Sequence, residues 1–138
     1  MPAPPGKGWV IDVATYSAGS MASLRLTPGQ NPAWSPDGSR VAFNRLLQAG
    51  YHDNADIWTI NPDATGAKQL TQYLAGRGYD GTTQVNPTWS PDGVYLAFTQ
   101  KVISGNKSTF NIRRVAAGGG TVTSLTTNGT SRWPRWRP

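Results

Sequence analysis

The sequence predicts an all-β protein assembled from repeated units of four short antiparallel strands. Three observations carry this. A thirteen-residue motif occurs twice, offset by 55 residues, and returns in shortened form at the end of the chain. The 16 Gly and 11 Pro fall at regular intervals between apolar runs, where they mark tight turns. The 138 residues contain no Glu, which helix surfaces normally use, while β-branched and aromatic residues fill the runs between turns.

The first copy of the motif reads Asn31-Pro32-Ala33-Trp34-Ser35-Pro36-Asp37-Gly38-Ser39-Arg40-Val41-Ala42-Phe43. The second reads Asn86-Pro87-Thr88-Trp89-Ser90-Pro91-Asp92-Gly93-Val94-Tyr95-Leu96-Ala97-Phe98, identical at nine of thirteen positions. Ser-Pro-Asp-Gly is a turn: Pro presets φ at the second position, Gly suits the fourth, and Ser or Asp bonds the nearby backbone. It joins a first strand ending in Trp34 or Trp89 to a second strand over residues 40–44 or 95–99. Val41 and Phe43, like Leu96 and Phe98, share one face. Ala42 and Ala97 lie on the other, where a small side chain lets a neighbouring sheet approach. Pro36, Asp37, Gly38, Pro91, Asp92 and Gly93 are therefore structural residues. Trp34, Trp89 and Trp136 repeat in register and are read as core anchors.

Third strands follow at residues 57–60 and 112–115. Leu70-Thr71 comes 13 residues after Ile57, Leu125-Thr126 comes 13 after Ile112, and Leu26-Thr27 comes 13 after Val13. Turns at Asn61-Pro62-Asp63 and Ala117-Gly118-Gly119-Gly120 separate the strands. The chain thus divides into a partial unit over about residues 9–30, full units over about 31–72 and 86–127, and a closing strand over 131–138 around Trp133-Pro134-Arg135-Trp136. Four antiparallel strands per repeat at this spacing is the pattern of a β-propeller blade. About three blades cannot close a ring of the usual ~4–8. The expected architecture is half of a ring of about six blades, completed by a homodimer. An uncovered half would expose core residues such as Trp34 and Phe43 or their counterparts.

The Pro-x-Trp-Ser-Pro-Asp-Gly hairpin, the Val-Ala-Phe and Leu-Ala-Phe strands, Ile57-Trp58 and the Leu-Thr ends resemble the TolB-like repeat family, also called WD40-like or PD40. The resemblance runs from about Asp12 to Pro138. Two features depart from it: the first unit lacks a second strand, and the last unit lacks everything after its first. The resemblance implies a propeller in the periplasm or outside the cell. Such propellers occur in TolB itself, in prolyl-oligopeptidase-like and tricorn-type peptidases, where a separate domain does the chemistry, and in oligogalacturonate lyases. Some hold a central metal.

Composition narrows the chemistry. Absence of Cys excludes disulfides, Cys-based zinc sites and a thiol nucleophile. His52 is the only histidine, so a triad or a multi-His metal site within one chain lacks partners. Gly118-Gly119-Gly120 lacks the Lys-Ser/Thr of a phosphate loop and reads as a hairpin turn. No Gly-x-Ser-x-Gly elbow occurs. Asp37 and Asp92 are explained by turn chemistry rather than as an acid–base pair. Asp12, Asp56 and Asn111 share one repeat position, where hydrogen bonding to a neighbouring turn is expected ahead of a channel cation. Neither a signal peptide nor a run long enough to span a membrane is visible.

The expected function is a non-enzymatic scaffold that docks protein or peptide partners and a second copy of itself, with no cofactor and no metal. One alternative is a lectin-like propeller whose glycan site uses Tyr51, Trp58, Tyr73, Arg77, Tyr79 and Arg113. Another is a fragment of the accessory propeller of a peptidase or polysaccharide lyase. Net charge is +6, and residues 101–138 hold seven basic and no acidic side chains. Basic charge alone gives salt-sensitive, unspecific nucleic-acid affinity, so nucleic acid is not the expected partner. The tail Arg132-Trp133-Pro134-Arg135-Trp136-Arg137 is read as a closing strand with buried indoles and rim guanidinium groups.

Overall fold

The computed structural model describes residues 9–46, 55–72 and 82–137, and every regular element among them is a β-strand. Strands β1 (Val10–Ser17) and β2 (Ser20–Pro28) form an antiparallel hairpin. Strands β3 (Gln30–Trp34), β4 (Val41–Leu46), β5 (Ala55–Ile60) and β6 (Lys68–Gln69) form a four-stranded sheet in chain order. Strands β7 (Thr82–Trp89), β8 (Tyr95–Ser104), β9 (Lys107–Ala116) and β10 (Thr123–Ser124) form a second. All pairings are antiparallel, as short turns between sequential strands require. This is the blade plan of an all-β propeller.

The Ser-Pro-Asp-Gly turns set each sheet's start. The Ser35 hydroxyl donates to Asp37 Oδ1 at 2.6 Å, and the Ser39 and Arg40 amides donate to Asp37 Oδ1 and Ser35 Oγ at 3.0 Å each. The second turn repeats this: Ser90 to Asp92 at 2.5 Å, the Val94 amide to Asp92 at 3.0 Å, the Tyr95 amide to Ser90 at 2.9 Å. Gly38 and Gly93 both sit at φ 71, a left-handed conformation that closes the turn and favours glycine.

Strand alternation then sorts the core. Ala42 and Ile57 point to one side of the β3–β6 sheet and are buried with Leu70, Trp89, Leu96 and Phe98 between the two sheets. Val41, Phe43 and Ile60 point to the other side and are buried with Ile11 and Leu26 of the β1–β2 hairpin. Each fully buried Phe or Leu contributes about 1.5–3 kcal/mol. Ala42 plays the spacer role that its size predicts, since β7 lies against β3, β4 and β5. Gly29, at the β2–β3 junction, is required by close approach: a Cβ there would stand 2.6 Å from Phe43 Cδ2.

Two expectations are corrected. Phe43 is not on a bare face; it is fully buried, because the hairpin covers that side of the sheet. The tail is not a strand: residues 131–137 form no ladder, and only an isolated bridge joins Phe110 to Thr130 just before it. In the two full sheets the first strand pairs with a second strand of its own unit, and the tail has no such neighbour among the described residues. Trp34, by contrast, is 50% exposed.

Candidate functional site

The residue preceding proline in each copy of the motif adopts the same unusual backbone. Asn31, Asn86 and Trp133 have φ of 53, 56 and 51. Asn tolerates the left-handed region; a bulky aromatic side chain does so only under strain. The kink shifts the strand register between Gln30 and Ala33, and again between Val85 and Thr88. It is tied down from the second strand of its own or the preceding unit. Asn31 Nδ2 donates to Asn44 Oδ1 at 2.7 Å, and the Trp133 amide donates to Thr99 Oγ1 at 3.0 Å. Asn44 and Thr99 occupy one repeat position.

The tryptophans two residues after Pro87 and Pro134 reach back to the preceding unit. The Trp89 indole donates to the Ala33 carbonyl at 2.9 Å, and the Trp136 indole to the Thr88 carbonyl at 3.1 Å. Stacking of Arg132 on the Phe110 ring, 3.5 Å from its centroid, also holds the tail. The three kinked segments thus converge. Asn31-Pro32, Asn86-Pro87-Thr88 and Trp133-Pro134-Arg135 line a hollow of about 360 Å³. Trp133 is 67% exposed beside it, and the Arg135 side chain is exposed too.

A second hollow, about 450 Å³, lies between the two Ser-Pro-Asp-Gly turns, with Trp89 and Arg40 in its wall. Bonds from the Ser35 side chain and the Ser39 amide and hydroxyl hold the Asp37 carboxyl at about 2, below the ordinary 3.8. The Ser90 hydroxyl and the Val94 amide lower Asp92 in the same way. Both are anions committed to their own turns, which does not suit a general acid at neutral pH. Asp56 accepts from Thr71 Oγ1 at 2.7 Å and from Gln69 at 3.1 Å, while Asn111 accepts from the Gly129 amide at 3.0 Å. Thr71 and Thr126 in turn accept the Ile57 and Ile112 amides. The shared Asp/Asn position therefore locks the third strand to the Leu-Thr end. Among the described residues no group of three His, Cys, Asp or Glu side chains could hold a metal ion.

Of the residues assigned to a glycan site, Tyr51, Tyr73, Arg77 and Tyr79 lie outside the described residues, as does His52. Trp58 and Arg113 hold equivalent positions, opposite Phe43 and Phe98, in different sheets. Trp58 packs at the edge of the Ile11–Phe43 cluster, and the Arg45 guanidinium lies 5.3 Å from its ring centroid. Sequence reasoning passed over Asn31, Asn86 and the special backbone at Trp133. The available signal was the residue preceding a proline at a fixed place in all three copies.

No protein-family model matches the chain. Over 75 residues it is 36% identical to the Tol-Pal system protein TolB of Gluconobacter oxydans (strain 621H), a match covering 54% of this chain and 14% of that protein. A solved TolB-type structure from Agrobacterium tumefaciens superposes on 94% of the chain with a TM-score of 0.62 at 18% identity. The chain has the fold of a TolB-like β-propeller. The TolB of Acinetobacter baumannii gives a TM-score of 0.52 at 21% identity over 88% of the chain. The chain spans 52% and 31% of the length of those two structures. Trp89 and Trp136 join successive repeats, and the three kinked segments meet at the smaller hollow.

Proposed function

We propose that the chain is a non-enzymatic docking module that holds an extended segment of a protein partner in the hollow where the three kinked segments meet. One observation carries this reading. Trp133 keeps a strained backbone and an exposed indole at the place where two other repeats use a relaxed Asn. Strain retained at a surface hollow points to use rather than to packing. The Trp133 ring offers an apolar face, and Arg135 offers a guanidinium that pairs a carboxylate. The neighbouring Asn31 and Asn86 side chains offer amide donors and acceptors. With the basic excess of the tail, the hollow suits a segment carrying an aromatic or aliphatic side chain beside Asp or Glu. The curated relative carries the name of a Tol-Pal system protein, and only the general role of binding protein partners is carried over from it.

The test is selection from a displayed library of random linear peptides. Enriched peptides should share an acidic residue next to an apolar one, bind more weakly as salt rises, and lose binding to Trp133→Asn while Trp58→Ala still binds. No enrichment, or binding indifferent to Trp133→Asn, would refute the docking site. Turnover of any peptidase or polysaccharide-lyase substrate by the purified chain would refute the non-enzymatic reading.

A further inference from the structure

The larger hollow, about 450 Å³, is built at a junction inside the chain. One wall is the turn of the β3–β6 sheet, with Pro36 and Asp37, and the other is the turn of the β7–β10 sheet, with Pro91 and Asp92. Trp89 stands between them, bonded to the Ala33 carbonyl and packed in the core that the two sheets share. The turns come close, since a Cβ on Gly93 would stand 3.8 Å from Pro36 Cδ. Two adjacent units of this chain thus supply the walls.

Both carboxylates use only half of their accepting capacity. Asp37 takes the Ser35 and Ser39 hydroxyls and the Ser39 amide on Oδ1. Asp92 takes the Ser90 hydroxyl and the Val94 amide on Oδ1. Oδ2 of each accepts no hydrogen bond among the described residues, and neither carboxylate has an ion pair there. The turns also keep both groups below the ordinary 3.8, so each is an anion at neutral pH. Asp12 is paired with Arg25, and Asp56 is buried against Thr71 and Gln69. Only Asp63 remains among the described carboxylates, so two of the three that stand exposed without a cation meet at one hollow, in a chain of net charge +6. Arg40 is the one cation in the wall, and its Nη2 donates to the Gly66 carbonyl at 2.9 Å.

We propose that this hollow receives a basic side chain, lysine or arginine, from a protein partner, with its charge between Asp37 and Asp92 and its aliphatic stem against Pro36, Pro91 and Trp89. Charge complementarity selects this occupant. A bare calcium ion takes ~6–8 oxygen ligands, more than two free carboxylate oxygens supply. The volume lies in the ~300–1,000 Å³ range of sites that hold organic groups. An ammonium or guanidinium on an alkyl stem matches the anionic and the apolar parts of the wall together. The site does not rest on the docking reading of the smaller hollow. Asn31-Pro32 at the start of β3 lines that one, the turn after β3 lines this one, and the two call for opposite charges.

Titration of the isotope-labelled chain with the peptides Gly-Arg-Gly and Gly-Lys-Gly, followed amide by amide in NMR spectra, tests the proposal. The Ser39 and Val94 amides, which donate to the two carboxylates, should shift and saturate at roughly 1–20 mM peptide. Gly-citrulline-Gly keeps the shape of arginine without its charge and should leave them unmoved. The net charge of the chain opposes unspecific attraction of a cation, so saturation at these amides reads the site. Asp37→Asn and Asp92→Asn each keep an acceptor for the turn and remove one charge. Either should weaken binding about threefold, and the double variant should not saturate. Trp133→Asn should bind as the parent does. In the parent chain, which needs no variant to fold, binding should weaken as salt rises from about 20 to about 300 mM. Shifts that never saturate, an equal response to the citrulline peptide, binding indifferent to both Asn variants, or binding indifferent to salt would overturn the proposal.

Discussion

At Trp133, φ of 51 places an indole-bearing residue in a conformation that the other two units give to Asn. A bulky residue held there costs about 1–3 kcal/mol. Trp133→Asn should therefore raise the melting temperature by a few degrees even as it removes the candidate docking residue, a separation of stability from function that calorimetry can read. A lower melting temperature would mean that the indole earns its place by packing. Asp37 makes the opposite kind of contribution. Its carboxyl is held at about 2 by Ser35 and Ser39, below the ordinary 3.8, so the folded chain binds its proton less readily than the unfolded chain does. The stability this supplies is complete above 3.8 and is lost as pH falls through about 2. Urea titrations between pH 5 and 2 should show a shallower loss for Asp37→Asn than for the parent, and parallel curves would exclude the linkage.

The hairpin turns are the elements on which each sheet depends. A Cβ on Gly38 would meet nothing within 4 Å, and one on Gly93 would meet only Pro36 Cδ at 3.8 Å. The cost of Gly38→Val and Gly93→Val is thus the backbone conformation, about 1 kcal/mol or more each. Unchanged thermal melting of both variants would contradict the turn assignment. These turns, the parity of Val41 and Phe43, and the Leu-Thr ends were legible in the sequence because each is decided by neighbours a few residues away. Strand extents were not. β9 runs Lys107–Ala116, but Lys107, Ser108, Thr109 and Asn111 carry no apolar alternation, so only residues 112–115 stood out. The tail misled for a related reason. Its motif resembles a first strand, yet a ladder needs a partner, and no strand among the described residues pairs with 131–137. The Asn-Pro kinks were written in the sequence but read only as part of a strand, which hid the hollow that they line.

Across the whole molecule, identical residues acquire different roles from their place in the series. Trp89→Ala removes an indole packed between two sheets and bonded to Ala33, and should cost about 3–5 kcal/mol in chemical unfolding. The same change at Trp34, which is 50% exposed, should leave stability nearly unaltered. Equal losses at the two positions would mean that Trp34 is covered from within its own chain. The sequence could announce that both tryptophans belong to one motif; only the arrangement of units decides which one has a neighbour.

The indole-to-carbonyl joint also says something about how such a chain is inherited. Trp89 and Trp136 each bring one donor to the unit before, and Ala33 and Thr88 each offer one acceptor to the unit after. A gene segment duplicated in frame at the unit boundary adds a blade whose contacts are already written, and deletion of a whole unit lets the flanking pair meet as the lost ones did. Length is then free to drift by whole units while the interface chemistry stays fixed. The constraint that remains falls on the two terminal units, which must be capped, joined to one another, or matched to a copy of themselves.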